Sequence, residues 1–420
     1  MSNNGPYVII GAGPAGVVAA DTIRKKDANA DVILIGQEPE KPYSRMAIPY
    51  VLTGGITESG TYLRENDDHY DEQKIRLVYG RVTEVDAQAK TVSIDGGDTI
   101  SYGKLLIATG AHPIKPPVPG LDLPGVHHCW TLADQRKIIE RANKGAKVVL
   151  MGAGFIGSII LEALARRDVN LTVVELENRM VPRMMNDTAG NMLKRWCETK
   201  GVRVLTSTGV TGVNENSGSD GSLAISLSNG ETITADLLVV ATGVKANTDF
   251  LKSSQIEVDD GIHGVVVDDQ LKSNNDDVFA AGDCAMGPVL GGGWAVHAIQ
   301  PTSVDHGRVA AINMTGGDMT YQGSLSMNVL DTLGLVSASF GRWDGVGADV
   351  AESIDNDNFK YLRLCFDGDK LVGALSIGRT EHIGVIRGLI QNATPLGDWK
   401  NKLKTDPHLI MDAYVSSAYF

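Results

Sequence analysis

Cysteine is scarce. Cys129, Cys197, Cys284 and Cys365 are the only four in 420 residues, and no two stand in a CxxC or other close pair. That spacing argues against a redox disulfide and against a zinc site. Basic charge is also in deficit, with 38 Lys and Arg against 51 Asp and Glu and a net charge of -13. Phosphate-tracking surfaces need the opposite balance, so nucleic acid is not an expected partner. Apolar runs never approach the ~20 residues of a membrane helix, and low-complexity segments and coiled-coil heptads are missing. The short polar start, residues 1–6, leads straight into an apolar run and does not resemble a signal peptide. A soluble cytoplasmic protein is expected, long enough for two or three cores.

Glycine, by contrast, is abundant and ordered. Gly11-Ala12-Gly13-Pro14-Ala15-Gly16 follows the apolar run Tyr7 to Ile10, and Gly152-Ala153-Gly154-Phe155-Ile156-Gly157 follows Val148 to Met151. A strand that turns into a helix through GxGxxG offers backbone amides and a helix N-terminus to a pyrophosphate. Each copy is followed by a second apolar run, Asp31 to Ile35 and Asn170 to Val174, so two dinucleotide sites are expected. A second repeat supports the first: Leu105 to Gly110 and Leu238 to Gly243 both end in Ala-Thr-Gly, the first as Ala108-Thr109-Gly110. Such runs suit buried parallel strands that stop near a ligand.

These signals predict an α/β fold with two Rossmann-like, doubly wound domains. A proline-rich stretch (Pro113, Pro116, Pro117, Pro119, Pro124) marks the first boundary. A further signal, Val278 to Asp283 with Gly282, suggests that the first domain resumes after the second, which is therefore an insertion. Residues 214–220 read as a hairpin tip. From about Tyr321, alternating or apolar runs at 328–340, 361–366 and 370–377 and helical spacing at 381–389 predict a small C-terminal α+β domain. The expected boundaries are 1–120 with 245–320, then 121–244, then 321–420.

The acid about 20 residues beyond the third glycine meets an adenosine ribose. In the second unit it is Glu175, whose charge favours NADH and repels the 2′-phosphate of NADPH; the nearest arginine that could accept that phosphate is Arg179. In the first unit the strand ends at Gln37 and Glu38, with Glu38 the expected ribose partner.

The order GAGPAG, ATG, GAGFIG, ATG, AAGD resembles the two-dinucleotide-binding-domain flavoproteins of the pyridine nucleotide:disulfide oxidoreductase superfamily, over residues 7–315. Lys41-Pro42-Tyr43-Ser44-Arg45 resembles the flavin-wrapping region of ferredoxin, rubredoxin and nitrite reductase flavoproteins. Residues 361–378 are similar to the small C-terminal domain of rubredoxin and nitrite reductases. The resemblance implies FAD in the first site, with Asp283 on the ribityl chain, the Val82 backbone near adenine and Arg45 beside the flavin. It implies NAD(P)H in the second site, hydride transfer to the flavin, and a segment around Trp294, Ala295 and His297 near the isoalloxazine. A helix through 303–312 would aim its N-terminal dipole at the ring.

Departures matter as much. Members that reduce disulfides, persulfides or peroxides carry a cysteine in a run equivalent to Ser44-Arg45-Met46-Ala47-Ile48-Pro49-Tyr50. Here Met46 stands in its place, and a thioether cannot serve as thiolate or sulfenic acid. A lysine and a glutamate that pair near the nicotinamide in relatives align with Tyr50 and Ile159. Losing both avoids one unpaired buried charge, and Tyr50 becomes a candidate catalytic side chain.

Other groupings are weaker. His127, His128 and Cys129 lack a further ligand at metal-binding spacing, and no metal is expected. Arg136, Lys137, Arg141, Lys144 and Lys147 form a basic stripe that suits either an acidic carrier or a solvated helix face. His382 and Trp399 are candidates for an acceptor side or for core packing. The expected function is an FAD-dependent NADH oxidoreductase passing electrons to a rubredoxin- or ferredoxin-type carrier. Direct action on a quinone or other small organic acceptor, and an NAD(H)-sensing flavoprotein with a binding role, are the alternatives. A homodimer is compatible with the resemblance.

Overall fold

In the computed structural model, described for residues 5–216, 221–261, 263–345, 347 and 349–418, the chain divides into two compact units. One comprises Met1–His112 with Val244–Ser324, the other Pro113–Gly243 with Leu325–Phe420. The first unit is thus interrupted by the second.

The first unit is built on five parallel strands in the order Val278–Ala280, Lys104–Ile107, Tyr7–Ile10, Val32–Gly36, Ile75–Tyr79. Tyr7 pairs with Val32 on one side and Lys104 on the other, so the glycine turn leaves from the middle of the sheet. Val278 pairs with Leu105; the strand after the insertion therefore completes the sheet begun before it. Val8, Ile9, Leu34, Leu105 and Leu106 are fully buried, as strands covered on both faces must be. The helices Pro14–Lys26 and Gln300–Met314 pack together, and Gly307 allows it: a Cβ there would stand under 3.0 Å from the Ala15 carbonyl oxygen. Val82–Asp86, Thr91–Ile94 and Thr99–Ser101 add an antiparallel meander.

The second unit repeats the plan. Its parallel strands run in the order Arg203–Leu205, Asn170–Val174, Lys147–Met151, Leu237–Val240, Val126–His128, and the helix Phe155–Ala165 leaves the central strand. The meander here is Val210–Glu215, Leu223–Leu227, Thr232–Ala235. Of the expected hairpin tip, residues 217–220 lie outside the described residues.

The same unit carries a five-stranded antiparallel sheet in the order Met327–Thr332, Leu335–Gly341, Lys370–Ile377, Lys360–Asp367, Val350–Asp355, followed by three helices from Ile383 onward. The expected run 328–340 is a hairpin that turns at Leu333 (φ 53°) and Gly334 (φ 86°). Side chains of the nucleotide fold hold this sheet: Glu162 accepts from the Leu333 amide, Trp196 Nε1 donates to the Thr332 carbonyl at 2.9 Å, and Asn186 donates to the Tyr361 hydroxyl at 2.7 Å. Among the described residues no helix is long and apolar enough to cross a membrane.

Candidate functional site

Each glycine fingerprint divides into glycines the fold requires and one it does not. Gly11 has φ +114°, and a Cβ on it would stand under 3.0 Å from the Ala108 carbonyl oxygen; a Cβ on Gly16 would collide with the Gly11 carbonyl. In the second copy Gly152 (φ +104°) and Gly157 meet Ala241 and Gly152 in the same way. These glycines let strand, turn and helix close on one another. Gly13 and Gly154 are different. Their backbone is ordinary extended chain (φ -83° and -70°) at the N-cap of each helix, and a Cβ on either would meet nothing within 4 Å. The space in front of both is clear, and neither cap makes a side-chain hydrogen bond. The first turn of a helix carries amide donors without intrahelical acceptors, so each cradle suits an anion. A dinucleotide pyrophosphate fits both.

Around the first cradle, Thr109 Oγ1 donates to the Asn247 carbonyl at 2.7 Å and Asn247 Nδ2 returns to the Thr109 carbonyl at 2.9 Å. Gly110 has φ +64°. Glu38 and Arg45 are brought together: the Tyr43 hydroxyl donates to Glu38 Oε2 at 2.5 Å, and Arg45 Nη2 is paired with Oε1 at 2.5 Å. Gln37 at the strand end is exposed. Val82 is buried and paired with Ile94. Ser44 is buried and donates to Gln300 at 2.6 Å, which ties the Arg45 segment to the start of the helix Gln300–Met314.

Asp283 sits in the turn Gly282–Cys284, where Ser303 Oγ donates to its Oδ1 at 3.1 Å. Burial pushes its carboxyl up, against the opposing effects of Ser303 and Arg45. A half-buried carboxylate with so little compensation has room for a further donor, and a ribityl hydroxyl is such a donor. Trp294 and Ala295 form a two-residue strand against Gly287 and Pro288, with the indole N–H on the Val267 carbonyl at 2.8 Å. His297 is bonded to Ser324. Met46 and Tyr50 are 47% and 63% exposed, an apolar lip on the turn Arg45–Ala47 and the short helix Ile48–Leu52.

In the second unit Glu175 is buried, and its two oxygens take the amides of Ala153 (2.6 Å) and Glu177 (2.9 Å). The carboxylate therefore braces the glycine turn from the end of the neighbouring strand. Gly243 (φ +110°) closes the equivalent Ala-Thr-Gly, where Thr242 Oγ1 donates to the Ile114 carbonyl at 3.0 Å. Arg179 is fully engaged: Nε on the Met185 carbonyl, Nη1 on Asn178 and Asp187, Nη2 on the Pro182 carbonyl. It holds its own loop. Ile159 lies partly buried on the helix Phe155–Ala165. Phe155 and Ile156 open that helix, so its half-buried start is apolar.

The tempting groups elsewhere have structural partners. His128 lies in an edge strand with Nδ1 against the Val240 carbonyl at 3.1 Å. Lys144 pairs with Asp168 at 3.3 Å, and Arg141 reaches the Asp236 carbonyl at 3.4 Å. Sequence reasoning did not single out Asn247, Gln300 or His306 as site residues. No local pattern marks them, because each meets its partner across the fold.

The sequence profile described as pyridine nucleotide-disulphide oxidoreductase matches residues 5–310. The chain is 29% identical over 406 residues to the NADH-dependent phenylglyoxylate dehydrogenase subunit epsilon of Aromatoleum evansii, covering 96% of this chain and 95% of that one. It is 30% identical over 407 residues to the ferredoxin–NAD(+) reductase component of the anthranilate 1,2-dioxygenase system of Burkholderia cepacia, covering 92% and 94%. The solved ferredoxin reductase for the CYP199A2 system from Rhodopseudomonas palustris superposes with a TM-score of 0.82 at 25% identity, over 96% of this chain and 100% of that one.

Proposed function

The chain belongs to the pyridine nucleotide-disulphide oxidoreductase family, and from that premise we propose that it takes hydride from NADH and passes electrons to a small redox carrier protein. It is an FAD-dependent NAD(P)H oxidoreductase. The observation that carries the finer reading is the pair of cradles at Gly13 and Gly154, two glycines whose lack of a side chain serves nothing inside the protein.

In this reading residues 1–120 with 245–320 hold FAD and residues 121–244 hold NADH. Bound FAD supplies a carrier that accepts two electrons together and releases them singly or in pairs. The chain's own residues bind and orient. The Gly11–Gly16 turn takes the pyrophosphate, Glu38 the ribose, the Val82 backbone the adenine edge, and Asp283 the ribityl chain. Arg45, paired with Glu38, carries positive charge toward Asp283, and Trp294 and Ala295 border the ring. In the second site the Gly152–Gly157 turn takes the other pyrophosphate and Glu175 the ribose. NADH is preferred over NADPH because Glu175 would repel a 2′-phosphate and Arg179 already has four partners of its own. Met46 leaves no thiolate at the flavin, so electrons have to leave through an acceptor from outside.

A carrier protein is supported by near full-length similarity to a ferredoxin–NAD(+) reductase component. Similarity to a dehydrogenase subunit allows the carrier to be a partner subunit. A second reading, direct reduction of an apolar organic acceptor such as a quinone, is favoured by the exposed lip of Met46 and Tyr50, with Tyr50 contacting the acceptor. Anaerobic stopped-flow bleaching of the flavin with NADH and NADPH, then reoxidation by a ferredoxin, a rubredoxin or a short-chain quinone, separates these readings. Fast bleaching by NADH and reoxidation by an iron carrier alone is the expected result. Slow bleaching by both nucleotides would sink the hydride mechanism.

A further inference from the structure

The helix Gln300–Met314 carries His306 in its second turn, and this histidine is 2% exposed. Its Nδ1 accepts the backbone N–H of Gly282 at 3.4 Å. That donation makes Nδ1 the unprotonated nitrogen, so the neutral ring carries its proton on Nε2. Nε2 is buried without a hydrogen-bond partner. The ring stands at 90° to Tyr321 with centroids 4.6 Å apart, and Gly287 packs closely beside it, where a Cβ would lie 3.2 Å from Cε1.

The neighbouring residues give this arrangement its sense. Gly282 (φ +78°) opens the turn that presents Asp283. Ser303, one turn earlier on the same helix, donates to the Asp283 carboxylate at 3.1 Å. One face of one helix therefore holds both the side chain of Asp283, through Ser303, and the backbone just before it, through His306. An apolar residue of similar size would fill the position without leaving a buried N–H unmade, which is a destabilising feature. Burial and His297 also hold the ring well below its usual protonation range, to about 4, so it stays an acceptor toward Gly282.

We infer that His306 is a positioning residue for the flavin, holding the Gly282–Asp283 turn so that the Asp283 carboxylate meets the ribityl chain. The inference rests on the proposed reading of Asp283 as a flavin ligand.

The test uses the full chain stripped of flavin. FAD affinity is measured by quenching of flavin fluorescence, and the visible band shape and midpoint potential of the bound flavin are recorded. The thermal midpoint of the apoprotein is followed in parallel, for His306→Leu, His306→Gln and Asp283→Ala. His306→Leu is expected to weaken FAD binding roughly tenfold, the worth of one hydrogen bond to a buried amide. It should also perturb the flavin band while leaving the apoprotein thermal midpoint level or higher. His306→Gln, which returns a carbonyl acceptor, should recover most of the affinity. Unchanged affinity and spectrum in His306→Leu overturn the inference, as does a loss that follows a fall in the thermal midpoint and is not recovered by Gln. Unchanged affinity in Asp283→Ala overturns the reading of Asp283 itself and is distinguishable from either.

Discussion

The Glu175 carboxylate reaches back across 22 residues to take the amide of Ala153 at 2.6 Å, inside the second glycine turn. Its other oxygen holds the amide of Glu177 at 2.9 Å. One side chain thus joins the end of one strand to the turn that follows its neighbour. Hydrogen bonds to a charged group are worth about 1.5–3 kcal/mol each, so the turn's shape depends on this residue as well as on its glycines.

Glu175→Ala should therefore raise the KM for NADH at least tenfold and destabilise the protein by about 2 kcal/mol, because the buried Ala153 amide and the Glu177 amide lose their acceptor. Glu175→Gln, which keeps one carbonyl oxygen, should retain more stability and should lower discrimination against NADPH. Steady-state kinetics with both nucleotides and a denaturant titration check both halves. Full retention of NADH preference in Glu175→Gln would remove the charge argument.

Gly13→Ala and Gly154→Ala should separate cleanly from Gly16→Ala. A Cβ at Gly13 or Gly154 meets nothing within 4 Å, whereas at Gly16 it collides with the Gly11 carbonyl. Gly13→Ala should yield folded protein purified without flavin colour. Gly154→Ala should yield a yellow protein that NADH bleaches slowly. Gly16→Ala should fail to fold or lose several kcal/mol. Absorbance at purification and far-UV circular dichroism distinguish the three.

Thiol chemistry should be silent. All four cysteines are buried, and burial pushes the Cys129 and Cys197 thiols up to about 12 and raises those of Cys284 and Cys365. The thiolate is the reactive form. Iodoacetamide on the native protein at pH 8 should leave turnover unchanged, and an aromatic disulfide reagent should count four thiols only after denaturation. Loss of activity on alkylation would place a cysteine in the reaction.

Acid sensitivity should carry a signature of His306. Its folded value is lowered to about 4 while the unfolded chain titrates near the usual 6.5, so between those values the unfolded state binds the extra proton. Stability from the neutral ring is complete above about pH 6.5 and falls as pH drops toward 4, with a slope approaching ~1.4 kcal/mol per pH unit. Denaturant titrations of the apoprotein from pH 4 to 7 should show a gentler fall in His306→Leu than in the parent. Parallel curves would mean the histidine takes up its proton over the same pH range folded and unfolded.

How much of this could be read along the chain depends on how far apart the interacting groups lie. The two cradles could, since a strand, a glycine turn and a helix N-terminus are built from consecutive residues and carry their own periodicity. The resumption of the first sheet after the insertion was also legible, because residues 278–280 are an apolar run with no counterpart in the second unit. The pattern could not separate Gly13, where the fold leaves room for a Cβ, from Gly16, where it does not. That distinction depends on what stands opposite a Cβ.

Residue type and local order along the chain were enough for the fold class and the doubling of the nucleotide unit, and the family resemblance marked Met46 as standing where relatives carry a reactive cysteine. Which side chains are already engaged emerged from how the elements pack. Arg179 is the nearest arginine to Glu175 along the chain, yet its hydrogen bonds all go to its own loop. Ser44 meets Gln300 across 256 residues, and His306 meets Gly282 from the next helix. A side chain's partner is set by how elements pack, and packing distances are not written in residue spacing.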